Sequence, residues 1–547
     1  MVSGLFAVEA AYFLESGSRL QRCAALYWIV CSVAVIMSTW AFALSTFLDR
    51  TFWRLRDRAW YLVAFFLPPA LVLVDGGGTY FTHVGGEGAQ QLSIGMYLIR
   101  YDPSLGVYKM AHFSYFARQY LLNCLPSCLL GPSLWRLRLG NSLFFIGSYL
   151  FFLSGLAAFL RHRRAPAALF LASCCGIMVA FAEFTLLNAR EFEQTTMPIG
   201  ATLFFLGAVM LFLVERTPMR FLWVSWVFGF LAFCYTPALG SWLLALAILL
   251  YLMRRPRHRV LAVSAAYGIV SACAAYLIVR NQNPTSLAWK FSVGTEHFTL
   301  GDRLIRYAQG LRALAGFDHS LLPAPLAIAV LAALFLSWRY REIRFPIICS
   351  WALAIVIASL TFVGSNLNFP GHDLQRALII LPPLALGSVL LLARYLAGTA
   401  DTDPSRRVVK FALGLSMAYM VFAGTCTVFL VRSFYGRAMR NDFDEVCGEL
   451  DRLAQAPGTV HPMRIYLVPP LGIESAQGLW YFDLDAVAYP AAPPPGERVP
   501  GTYIFLYRVK NPEDRIDDEV VPSRHPRPYI QVEDEWGPGR ALASEPP

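Results

Sequence analysis

Residues 141–160 read NSLFFIGSYLFFLSGLAAFL, residues 161–166 read RHRRAP, and residues 167–185 read AALFLASCCGIMVAFAEFT. A bilayer hydrocarbon core of about 30 Å takes roughly 20 apolar residues as helix. Both runs meet or nearly meet that length, and a short basic turn joins them. Arg161, Arg163 and Arg164 assign the turn to the cytoplasmic side, because Arg and Lys accumulate in the short loops that stay inside. The stretch is a transmembrane hairpin.

The same pattern continues in both directions. Apolar segments occupy 24–48, 61–74, 141–160, 167–185, 199–214, 221–234, 239–253, 260–279, 323–338, 345–364, 377–396 and 408–431, which predicts twelve spans. Segment 61–74 is short and carries Pro68-Pro69, and Tyr235-Thr236-Pro237 splits 221–253 into a second hairpin. The basic loops (Arg50 to Arg58, Arg161 to Arg164, Arg216/Arg220, Arg254 to Arg259, Arg339 to Arg344, Arg406 to Lys410) alternate with loops that are long or nearly uncharged. The second set, 75–140, 186–198, 280–322 and 365–376, is expected outside the cytoplasm with the N-terminus and everything from Arg432 onward. No small-residue cleavage site follows the first apolar run, so that run is expected to stay as a helix.

Composition agrees. Of 547 residues 56% are hydrophobic and 15% charged, with a mean hydropathy of +0.49. Soluble domains carry roughly 25% charged residues, so several soluble globules, disorder and collagen are excluded. Eleven Cys in 547 residues exclude a disulfide scaffold. Cys124 and Cys128 share an outer loop at a helical spacing that strains a disulfide, and there is no CxxC or Cys/His metal spacing. The net charge of +10 divides unevenly: residues 433–547 hold 18 acidic and 11 basic residues, so the membrane region is basic and the tail acidic. No basic, aromatic-studded soluble module of the kind nucleic acid needs is present.

Polar placement locates the chemistry. The spans hold almost no ionisable residue near mid-membrane, where a transport pathway would need one. Asp75, His83, Glu87, His112, Arg118, Arg138, Arg190, Glu191, Glu193, Asp302, His319, His372, Asp373 and Arg376 instead fall on the outer side, which points to a site at the membrane–water boundary. The first outer loop, 75–140, opens with Asp75-Gly-Gly-Gly and continues through Gly85-Gly86-Glu87-Gly88 to amphipathic runs at 91–100 and 109–122 that suit the membrane interface. The plain reading of Asp75 and Glu87 is helix capping or solvation. The chemical reading is a carboxylate beside a lipid phosphate, deprotonating an acceptor hydroxyl as it attacks a sugar.

These features resemble the GT-C class of membrane glycosyltransferases, which includes protein O-mannosyltransferases and the aminoarabinose transferases of lipid A. Gly131-Pro132-Ser133 leads to Arg138 seven residues beyond the Gly. His112-Phe113-Ser114-Tyr115 sits where the family has His-Pro-Pro, without the prolines. Asp373-Leu-Gln-Arg376-Ala-Leu-Ile-Ile-Leu-Pro-Pro383 looks like the Arg-led, Pro-rich late span. The family's Asp-Glu, whose Asp is the presumed base, is replaced by Gly86-Glu87; either Glu87 or Asp75 substitutes, or the sugar chemistry has changed, or activity is lost.

The resemblance implies an all-α polytopic membrane protein at 1–432, with interfacial helices in the outer loops. It also implies a polyprenyl-phosphate-linked sugar donor, a glycan, lipid or protein acceptor, and a catalytic residue in Glu87 or Asp75. Arg138, Arg190 and Arg376 are candidate phosphate partners because a guanidinium fork suits a phosphate; the alternative is interfacial snorkelling. His112, His372 and Asp373 join the candidate set. No soluble cofactor is implied, and a divalent metal has no clear ligand cluster. The outer run 302–314 reads as a surface helix, a lid or plain interface packing. Residues 433–510 read as a small α/β extracytoplasmic domain, with a charged helix at 441–455 and strands at 464–468 and 502–509, and 511–547 as a loose acidic, Pro-rich tail. The rival readings are a non-catalytic scaffold or lipid carrier of envelope polysaccharide assembly, and a glycan polymerase or ligase.

Overall fold

The structure is a computed structural model. It describes residues 58–74, 134–182, 185–190, 196–215, 217, 220, 224, 301, 305, 381–398, 404–438, 452, 453, 455–459, 463–468, 486–489, 502–508 and 530–536. Seven helices lie among them: α1 Arg58–Leu73, α2 Leu134–His162, α3 Ala168–Ala180, α4 Thr185–Arg190, α5 Thr196–Val214, α6 Leu381–Gly398 and α7 Pro404–Ala438. The chain divides into two compact units, Met1–Val74 with Asn141–Cys426 and Asp75–Gly140 with Thr427–Pro547.

In the first unit α3 is the central helix. Every residue from Leu169 to Ala180 is buried, and α3 packs against α1, α4 and α6. Its run Ala172-Ser-Cys-Cys-Gly176 is small, which lets neighbouring backbones approach where packing rather than water exclusion holds helices together. Ser173 satisfies its own hydroxyl by donating to the Leu169 carbonyl at 2.7 Å. Around α3, α4 packs on α1 and α5, and α5 on α6.

Glycines set how α2 crosses its neighbours. A Cβ on Gly155 would lie 3.0 Å from the carbonyl oxygen of Gly207 on α5, and one on Gly200 would lie 2.8 Å from the Phe144 ring. The pairs Phe144/Gly200 and Gly155/Gly207 ascend both helices together, so α2 and α5 run parallel. Their basic C-terminal ends therefore share one end of the bundle, as the alternation of charged loops requires.

Both ends are closed by their own residues. After α2, the amide of Arg164 donates to the Arg161 carbonyl and that of Ala165 to the Leu160 carbonyl, with Arg164 left-handed at φ 53°. This is the helix-ending arrangement that usually takes Gly, and Pro166 follows it. The Arg163 guanidinium lies 5.4 Å from the Phe159 ring centroid. After α5, Arg220 donates to the Leu211 carbonyl at 2.8 Å and pairs with Glu215 at 2.6 Å. A cation beside the last carbonyls of a helix also complements the helix dipole.

Two described helices are apolar over a length that crosses a bilayer, at Ser142–His162 and Arg406–Cys426. α7 has two faces. Met417, Met420 and Gly424 are buried, while Val408, Phe411, Leu415 and Phe422 are exposed, the distribution expected of a helix with one side in lipid. Gly424 meets Phe181.

Several expected boundaries move. The run 167–185 is not one helix: α3 stops at Ala180, and α4 starts at Thr185, where the amide donates to the Ala182 carbonyl. The stretch 186–198, expected as a loop, contains the rest of α4 and the start of α5. α2 begins at Leu134, so Arg138 is inside the helix and not ahead of it, and α7 passes the expected end at Val431 to reach Ala438. The expected spans at 24–48, 239–253, 260–279, 323–338 and 345–364 lie outside the described residues. So do most of 221–234 and the charged helix at 441–455, of which Arg452, Leu453 and Gln455 are helical.

The second unit contains a four-stranded sheet, β1 Met463–Val468, β2 Ala486–Tyr489, β3 Thr502–Arg508 and β4 Ile530–Trp536, in the order β2-β1-β3-β4. β1 is parallel to β2 and β3, and β3 is antiparallel to β4. The expected strands at 464–468 and 502–509 are β1 and β3. The tail 511–547, expected to be loose, supplies β4. Ile530, Val532, Asp534 and Trp536 alternate with Gln531, Glu533 and Glu535, a period of two that fits a strand pairing with β3.

Candidate functional site

Of the candidate residues, the structure describes two as helical backbone: Arg138 in the first turns of α2 and Arg190 as the last residue of α4. Glu87, Asp75, Arg376, His112, His372 and Asp373 lie outside the described residues. What the structure supplies is the framework that leads to these positions.

α1 ends at Leu73, and the Val74 amide closes its last turn on the Ala70 carbonyl at 2.8 Å. Asp75 follows at once in the sequence. Pro68 and Pro69 lie inside α1. Proline has no amide hydrogen, so the carbonyls of Ala64 and Phe65 lose the donors a regular helix would give them four residues on. For Ala64 the donor comes from another helix: the Tyr149 hydroxyl of α2 donates to its carbonyl at 2.8 Å. Tyr149 is fully buried and stacks on Phe145, with ring centroids 6.1 Å apart and planes 11° from parallel. Gly176 of α3 leaves the space for the phenol, since a Cβ there would come 2.9 Å from the hydroxyl oxygen.

A second cross-helix bond lies about two turns into α2, in its half away from the basic turn. Ser142, itself buried, donates to the Ala189 carbonyl of α4 at 3.0 Å. Arg138 is one helical turn before Ser142 in α2, and Arg190 is next to Ala189 in α4. Thr185 opens α4 with its hydroxyl buried and without a hydrogen-bond partner among the described residues. Ile305, within the expected surface helix 302–314, and Gly301 just ahead of it are helical and exposed.

The residues that organise this framework, Tyr149, Ser142 and Gly176, escape a search for charge and motif. Pro68-Pro69 is the visible signal. A proline inside an apolar span orphans a carbonyl, and with no water in the hydrocarbon another part of the protein must supply the donor. The sequence does not say which hydroxyl does so.

By sequence the chain matches no protein-family model and no curated protein. By structure it is similar to ArnT from Cupriavidus metallidurans bound to undecaprenyl phosphate, with a TM-score of 0.51 at 12% identity over 89% of this chain and 98% of that one. The same protein in the apo state gives a TM-score of 0.49 at 14% identity over 82% and 92%. The arabinofuranosyltransferase AftD from Mycobacteria gives 0.41 at 16% identity over 82% of this chain and 35% of that one. The undecaprenyl-phosphate-bound ArnT match is a likeness of fold. At 12% identity it shows that this chain shares the fold of that ArnT structure, an architecture of the kind the resemblance led one to expect.

Proposed function

We propose that the chain is an integral-membrane glycosyltransferase that moves a sugar from a polyprenyl-phosphate donor to a glycan, lipid or protein acceptor on the outer face of the cytoplasmic membrane. The observation that carries this reading is the fold shared with undecaprenyl-phosphate-bound ArnT along nearly the whole of both chains. In this reading the membrane region has twelve spans, the long loops 75–140 and 280–322 lie outside, and so do residues 433–547.

The acceptor oxygen attacks the anomeric carbon, and its proton passes to the carboxylate of Glu87 or Asp75. The bond from that carbon to the phosphate oxygen breaks, and its electron pair leaves on the lipid phosphate. Arg138, Arg190 and Arg376 offset the charge that develops there, with His112, His372 and Asp373 completing the polar set. The sugar arrives activated as a phosphate ester, so no soluble cofactor enters the reaction; a divalent metal at the phosphate is compatible with it.

The test is consumption of a radiolabelled polyprenyl-phosphate sugar by membranes containing the full chain. Glu87→Gln and Asp75→Asn remove a basic oxygen with little change in size. Loss of a general base lowers the rate by about 10²–10⁴-fold, whereas an exposed loop carboxylate changes stability by only about 0.5 kcal/mol. One variant is expected to accumulate normally and lose transfer. Full transfer by both would overturn the base assignment. A wild-type chain that transfers nothing, while its deletion still disrupts envelope glycan assembly, would replace the enzyme with a scaffold.

A further inference from the structure

We propose that Tyr149 is a positioning residue. Its hydroxyl stands in for the amide that Pro68 lacks, and this holds the last turns of α1, up to Val74, at a fixed angle; Asp75 is the next residue in the sequence. The inference rests on the proposed function only where it concerns Asp75.

Two consecutive prolines make α1 a hinge. The helix can bend where the Ala64 and Phe65 carbonyls have no amide donor four residues on, and such kinks are a usual consequence of internal proline. The Tyr149 bond spans that point from α2. The phenol is itself fixed, by the parallel Phe145 ring on one side and by the bare Cα of Gly176 beside its oxygen. Lipid offers no substitute donor, so removing the hydroxyl leaves the carbonyl unpaired and the hinge free.

The lever is long enough to matter. From Pro68 to Val74 the helix rises roughly 9 Å, so a 10° swing carries Val74, which Asp75 follows in the sequence, by roughly 1.6 Å. A displacement of about 1 Å at a reacting group can cost on the order of 10²-fold in rate.

The experiment uses the full chain in lipid nanodiscs with three variants: Tyr149→Phe, Pro68→Ala and the double variant. Pro68→Ala restores an amide four residues after Ala64, so the helix can satisfy that carbonyl without Tyr149. Tyr149→Phe is expected to lower kcat at least about tenfold while the donor KM stays within about twofold. Amide exchange at 70–74 is expected to quicken by roughly tenfold, the upper range for one interhelical hydrogen bond in a membrane. The double variant should recover both rates. Unchanged exchange in Tyr149→Phe, or no recovery in the double variant, would overturn the lock. Faster exchange with an unchanged kcat would overturn the positioning role. If Tyr149→Phe does not accumulate, rescue of accumulation by Pro68→Ala supports the lock, and failure of both variants sinks it. If the wild type transfers no sugar, the functional reading falls and amide exchange still decides the lock.

Discussion

The crossing of α2 and α5 allows the same substitution to be made twice on one helix with opposite expected results. A Cβ on Gly147 would meet nothing within 4 Å, whereas one on Gly155 would lie 3.0 Å from the Gly207 carbonyl oxygen, 3.3 Å from its Cα and 3.5 Å from its carbonyl carbon. In a helix interior Ala is favoured over Gly by about 0.8–1 kcal/mol, and both variants gain that. At Gly155 the obstructing atoms are backbone, so no rotamer change relieves the clash and the helices must part. Parting them loosens the tilted Phe151–Phe204 pair, whose ring centroids are 4.6 Å apart. The Phe152 backbone, whose Cα would lie 3.1 Å from a Cβ on Gly207, is drawn away from α5 as well. Overpacking of this kind costs about 1–3 kcal/mol, which leaves Gly155→Ala less stable than Gly147→Ala by about 1–3 kcal/mol. The assay is the midpoint of denaturation of detergent-solubilised protein, followed by the monodisperse fraction on size exclusion. Equal midpoints, or a higher one for Gly155→Ala, would refute the close crossing.

Two further outcomes follow from local geometry. At Arg164, with φ 53°, Gly relieves about 1–2 kcal/mol of left-handed strain and gives back about 0.5–1 kcal/mol in unfolded-chain entropy. Arg164→Gly should therefore raise the same midpoint slightly, and a lower midpoint would contradict the turn. Truncation before Ile530 removes β4 and leaves an edge of β3 unpaired; the shortened chain should be cut faster by protease within 463–508, and wild-type resistance would show that β4 contributes little to the sheet.

The parts of the fold legible in the sequence are those fixed by solvent. Lipid demands apolar length, and charge selects a side. The paired helices α2 and α3, the basic residues that follow α2 and α5, and strands β1 and β3 were therefore readable from their residues. The parts that were hidden depend on partners. Nothing in GIMVAFAEFT marks a helix end at Ala180, since it has no proline and its one glycine lies within the helix; Phe181 meets Gly424 more than two hundred residues later. β4 was obscured differently: Glu533-Asp534-Glu535 looks like solvated tail, and the alternation around it shows as a strand only once β3 supplies the neighbouring edge. The candidate site divides along the same line. The motifs around Arg138 and Arg376 suggested a fold, yet a motif can propose the group that would do the chemistry and not the one that aims it. Pro68 carries part of that second message. An orphaned carbonyl in hydrocarbon obliges some side chain to donate, so a proline within a span is a statement about another helix. Here that helix is α2, and the donor is a tyrosine with no charge or motif to single it out.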